Sequence, residues 1–193
     1  MADSPNADQP IPFGWGMGWF AVRSGDPQQI ARELRLQKIH VSNWEEGLKA
    51  AMGPESVFLS PEVSGWSFIV GNALPSGPQE ECLTLLADLS RAFEEAQYFG
   101  TEDVTEFHAW AKASNGRLRR AYAFSGEQGA VLWDRGEVTE EEKELGLLFP
   151  EKTILSNSPD SSSVFKIAAR WSLDPTRLDE GDYSTSTGLL GER

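Results

Sequence analysis

The 193-residue chain has one cysteine, Cys82, and two histidines, His40 and His108. One thiol cannot close an intramolecular disulfide. Positions 40, 82 and 108 also lack the short spacings of a zinc or iron–sulfur site, so only an all-carboxylate magnesium site stays open. A reducing compartment, the cytoplasm, is the expectation, with neither cofactor nor metal. No stretch approaches the roughly 20 apolar residues of a membrane helix. The opening MADSPNADQPIP carries acids where a secretory leader carries bases, so it reads as neither signal peptide nor anchor. No repeat recurs at solenoid or propeller periods. There is no G-x-S-x-G elbow, no H-E-x-x-H and no calcium loop. Gly14-Trp15-Gly16-Met17-Gly18 is rich in glycine but lacks the Lys-Ser/Thr of a phosphate loop, and reads as an aromatic entry to a strand.

Basic residues are also scarce, 17 Lys+Arg against 30 Asp+Glu, for a formal net charge of -13. That field opposes docking on a phosphate backbone or an anionic membrane, and it suits a basic protein partner. The acidity is uneven. Residues 1–12, 137–144 and 174–193 together carry -9 of it, which leaves the small basic cluster Lys112, Arg117, Arg119 and Arg120 as the main electrostatic feature of the body. With 39% hydrophobic residues the chain has ample material for one core. Seven tryptophans, at 15, 19, 44, 66, 110, 133 and 171, recur about one per expected element, as a distributed core requires.

Local signals define most elements. Residues 1–12 read as a disordered leader, 13–173 as a single domain, and 174–193 as an acidic, Ser/Thr-rich unstructured tail. Met17 to Arg23 suits a first strand, and Asp26-Pro27 opens a short helix carrying Ile30, Ala31 and Leu34. Ser42 with Glu45 forms a capping box for a second helix that ends at Gly53-Pro54 and buries Trp44, Leu48 and Met52. His40 falls between these helices as a linker. Val57 to Ser60 and Trp66 to Gly71 are strand candidates. Cys82, Leu85, Leu86, Leu89 and Phe93 then form an amphipathic stripe, which makes Cys82 an inert core thiol.

From Gln97 the pattern alternates with period two. Asn115-Gly116 predicts a type I′ hairpin, and Gly126 to Gly129 a second turn, giving strands at 104–113, 117–125 and 130–134. Thr139 and Glu142 form another capping box, a loop with Asn157-Ser158-Pro159 follows, and Asp160 caps a last helix with Val164, Ile167, Ala168 and Trp171.

The hairpin sorts side chains by face. Phe107, Ala109 and Ala111 should share one face with Leu118, Arg120, Tyr122, Phe124, Val131 and Trp133. The other face should carry Glu106, His108, Trp110 and Lys112 with Arg117 and Arg119 around two alanines. A ligand site would use Trp110 for stacking, Arg117, Arg119 and Lys112 for an anion, and Glu106 with His108 for proton handling. An ordinary wet or helix-covered sheet face has the same composition.

The run LSRAFEEAQYFGTEDVTEFHAWAKASNGRLRRAYAFSGEQG, with GWSFIVG before it and TEEEKELG and ARWSLDP after it, resembles an uncharacterised family of bacterial hypothetical proteins with no assigned activity. The likeness covers roughly Gly14 to Pro175. It implies a cytoplasmic bacterial protein with accessory or interaction duties and supplies no catalytic residues. The fold expected is α+β, an antiparallel sheet of about five or six strands with helices mainly on one face. The leading functional expectation is a non-enzymatic interaction protein of immunity or regulatory type. The alternative is a small-molecule anion binder or enzyme using the His108/Trp110/Arg119 face.

Overall fold

The computed structural model describes residues 7–23, 26–147, 149 and 159–193. Of the expected leader and of the Asn157-Ser158-Pro159 loop, residues 1–6 and 157–158 lie outside these. In chain order the elements are β1 (Gly18–Val22), α1 (Pro27–Glu33), β2 (Gln37–Ser42), α2 (Trp44–Ala51), β3 (Ser56–Leu59), β4 (Ser67–Val70), α3 (Glu80–Phe93), β5 (Glu95–Glu102), β6 (Phe107–Ser114), β7 (Arg117–Ser125), β8 (Ala130–Arg135), α4 (Glu140–Glu144), α5 (Ser161–Trp171), a 3₁₀ segment (Pro175–Glu180) and β9 (Gly188–Glu192). The described strands form one antiparallel sheet of nine, in the order β2-β9-β3-β4-β1-β5-β6-β7-β8.

Helices cover both faces of this sheet, not mainly one as expected. Along β1 the side chains alternate between two cores: Phe20 and Val22 join Ile30 of α1 and Leu86 of α3, while Trp19 and Ala21 join Trp44 of α2 and Ile167 of α5. A central strand buried on both sides has no polar face, which explains its unbroken apolar run.

Nine strands exceed the five or six expected because three carry weak signals. β2 holds His40 as an exposed strand residue, not a linker, and bears two polar residues at its start. β5 is a separate strand paired with β1 and β6. β9 lies in the segment expected to be an unstructured tail, yet it pairs with β2 and β3. Its Gly188 leaves no room for a side chain, since a Cβ there would sit 2.1 Å from the Leu59 carbonyl oxygen, so close strand packing selected a residue that argues against a strand in sequence. The leader is likewise ordered from residue 7: Asp8 bridges to Ser186, and its carboxylate accepts the Trp44 and Glu45 amides at 2.8 and 3.1 Å.

The capping predictions for α1, α4 and α5 match: Asp26, Thr139 and Asp160 each accept an amide of the first turn. At α2 the cap is Asn43, which accepts from the Glu46 amide, and Ser42 instead ends β2. The buried side of α2 also differs, because Met52 is exposed and Gly47 is buried against Phe58. A Cβ at residue 47 would lie 2.1 Å from Phe58 Cδ2. Gly47→Ala should therefore cost about 1–3 kcal/mol by overpacking, measured by urea denaturation, although alanine favours a helix.

The Asn115-Gly116 turn has positive φ at both residues and pairs Ser114 with Arg117, as the sequence predicts. The faces then diverge from the expected sorting. Ala113 pairs with Leu118 but Lys112 pairs with Arg120, so Arg119 is an extra residue in β7 and shifts the parity of everything beyond it. Arg120, Tyr122 and Phe124 thus join His108, Trp110 and Lys112, not Ala109 and Ala111. A second shift in β7–β8 pairs Ala123 with Trp133 but Phe124 with Val131. Trp133 consequently packs in one core and Val131 against the other.

The bulge directs Arg120 into the covered side of the sheet. Its guanidinium is fully buried and donates through Nε to Glu142 Oε1 at 2.9 Å and through Nη1 to Asp134 Oδ1 at 2.5 Å. Glu142, also fully buried, accepts the Trp110 indole N–H at 2.7 Å and the Thr139 amide at 2.6 Å. Phe149 and Tyr122 lie 4.9 and 5.7 Å from the Arg120 guanidinium carbon. Glu142→Ala strips the arginine of its buried partner and should cost about 3–5 kcal/mol in urea unfolding, whereas Arg120→Met with Glu142→Leu should recover most of the loss.

Candidate functional site

The six expected site residues divide into four places. Glu106, in the β5–β6 turn, and His108, near the start of β6, line a common cavity. Trp110 is fully buried in the core beneath α4 and α5, its ring packed at a tilt against Tyr122 at a centroid distance of 4.9 Å. Lys112 Nζ pairs with Glu95 at 3.2 Å and lies 5.4 Å from the Trp171 ring centroid, so its charge is already engaged. Arg117 and Arg119 are exposed near the β6–β7 turn. Phe124 is the cross-strand partner of His108, and Arg117 is seven positions back along β7, roughly 23 Å at about 3.3 Å per residue. The arginines and the histidine do not share a site.

The cavity around His108 has a volume of about 350 Å³ and is lined by Asp103, Glu106, His108, Phe124 and the α5 start at Pro159, Asp160 and Ser161. Two parts of the fold place its carboxylates. Asp103 and Glu106 stand on the tight β5–β6 turn, where Glu106 adopts φ +48°, a strained left-handed conformation for a residue with a side chain. Asp160 is fixed by its capping duty, accepting the Ser163 amide and hydroxyl, both at 2.8 Å. Among the described residues no ion pair involves Asp103, Glu106 or Asp160, and no Lys or Arg lines the cavity.

His108 is 6% exposed, with Nδ1 3.2 Å from Thr101 Oγ1. Burial holds its pKa below the ordinary 6.5, while the opposing attraction of Asp103, Asp160 and Glu106 only partly offsets that effect. The ring is therefore neutral at pH 7, and the cavity presents three carboxylates with no cation among its described lining residues, although Lys166, outside that lining, attracts Asp160. Such an arrangement can receive a positive group. Among the described residues no three His, Cys, Asp or Glu side chains gather closely enough to hold a metal ion.

Sequence reasoning found Glu106 and His108 by alternation along one strand. It read Asp160 as a cap only, because nothing local states that α5 begins over the end of β6. Searches against family models, curated proteins and solved structures found no match to this chain. Among the described residues no helix is long and apolar enough to cross a membrane.

The lowered pKa of His108 has a thermodynamic consequence. As pH falls through 6.5 the unfolded chain takes up a proton that the folded chain resists, so folding stability decreases on the acid side, by at most about 1.4 kcal/mol per pH unit. His108→Gln should flatten the stability profile between pH 6.5 and 5 in denaturant titrations. An unchanged slope would show that His108 is not the group responsible.

Proposed function

We propose that this is a non-enzymatic cytoplasmic interaction protein, of immunity or regulatory type, that meets a basic protein partner through the acidic end of the β5–β6 turn. The observation that carries this reading is the convergence of Asp103, Glu106 and Asp160 on one concavity with no cation among its described lining residues. Beside it Val104, 90% exposed at the tip of the same turn, offers an apolar contact ringed by acids. A lysine or arginine side chain entering the cavity would find carboxylates from two elements, and the -13 net charge would speed the encounter at low salt. The resemblance to bacterial proteins without assigned activity is consistent with an accessory role. The anion-binding alternative loses support because Trp110 is inside the core and Arg119 lies far along the strand from His108.

Charge reversal tests the reading. Wild-type protein immobilised in native lysate at low salt should retain a stoichiometric partner with a strongly basic surface, released by raising the salt. The double variant Asp103→Lys/Glu106→Lys should lose at least tenfold in affinity for that partner while keeping its unfolding midpoint. Retention of no such partner, or equal retention by the variant, removes the proposal.

A further inference from the structure

A second cavity, of about 470 Å³, opens on the opposite face of the sheet at the same end of β5. No residue of α3 lines it; its floor is the cross-strand pair Gly18 and Gly100. A Cβ at either position would stand 2.9 or 2.8 Å from the Tyr98 hydroxyl, so both glycines are required for that ring to lie along the floor. Tyr98 is almost fully buried, and its hydroxyl accepts the Gly77 amide at 2.9 Å, which pins the loop before α3 as one wall. Phe107 forms another wall. The cleft is held open by buried contacts, and its volume falls in the ordinary range for small-ligand sites, about 300–1,000 Å³.

The fixed charge in the cleft has one sign. Asn72 gives one Nδ2 hydrogen to the Met52 carbonyl at 2.7 Å, which fixes the amide and presents Oδ1 as an acceptor. Glu102 is half-buried, accepts the Val104 amide through Oε1 and keeps its other carboxylate oxygen. Among the described residues no Lys, Arg, His or Trp lines the cleft, so the Glu102 carboxylate is its one formally charged group. Aromatic walls, a carboxylate and a chain-wide negative field favour a donor-rich cation with an apolar body.

We propose that the Gly18–Gly100 cleft is a binding site for a small organic ammonium compound, with Glu102 and Asn72 receiving the ammonium and Phe107 and Tyr98 flanking the apolar part. This site is independent of the partner surface, since it lies on the other face of the sheet.

A matched series tests it with the intact protein: 2-phenylethylammonium, 2-phenylethanol and 3-phenylpropionate, titrated by calorimetry and followed by amide chemical shifts. The ammonium should bind at least tenfold more tightly than the alcohol, the carboxylate should not bind, and the shifts should cluster at Gly77, Gly100 and Glu102. Glu102→Gln should reduce the ammonium preference to within about threefold, and Thr105→Trp, which fills the cavity from its rim, should abolish binding without lowering the unfolding midpoint. Equal binding of ammonium and alcohol, saturation by none of the three, or undiminished binding by either variant overturns the proposal. Asp103→Lys/Glu106→Lys serves as the control and should leave the preference for ammonium over alcohol intact even if partner binding is lost.

Discussion

The contact on which the arrangement of the second half of the chain depends is the buried pair of Arg120 and Glu142. Arg120 belongs to β7 and Glu142 to the third position of α4, and both are fully buried. Glu142 simultaneously completes the helix-capping box and receives the Trp110 indole, so one carboxylate joins two strands to one helix. An ion pair in such surroundings earns little net stability over an apolar substitute, because desolvation offsets most of the attraction. What it does impose is position. α4 cannot slide along the sheet without stranding a charge, and Trp110 cannot turn outward without leaving Glu142.

That constraint decides which part of the expected face is free. With Trp110 and Lys112 beneath the helices, only the end of β6 near His108 remains beside open space. The Arg119 bulge is the origin of the arrangement: without the extra residue Arg120 would project toward α3, and the Glu142 carboxylate would face apolar side chains. A single inserted residue thus changes the destination of every later side chain in β7.

The features legible in the sequence are those whose cause lies within a few residues. Asp26, Thr139 and Asp160 cap helices because their carboxylate or hydroxyl reaches an amide two or three positions on, and Asn115-Gly116 turns because both residues tolerate positive φ. The α3 stripe needed only its own periodicity. Features with a distant cause were not legible. The bulge at Arg119 leaves no local mark, and β9 owes its existence to a gap between β2 and β3 that Gly188 and Gly191 fit. The same distinction applies at the site: Glu106 and His108 follow from alternation, whereas Asp160 joins them only because the sheet and α5 meet.

Pairing, more than the total, determines what the acidity of this chain means. Glu142 is consumed by Arg120, Glu192 by Lys38, Glu144 by Arg170 and Glu180 by Arg177, so much of the charge counted in the 137–144 and 174–193 segments is already answered by neighbouring cations. Asp103 and Glu106 belong to neither segment and have no such partner among the described residues. On the surface a pair of that kind is worth about 0–1 kcal/mol and is screened by salt, but in a concavity the same carboxylates act together and are less screened. The electrostatic signature relevant to recognition is therefore the short β5–β6 turn. Its carboxylates serve two cavities on opposite faces of the sheet, Asp103 and Glu106 on one side and Glu102 on the other.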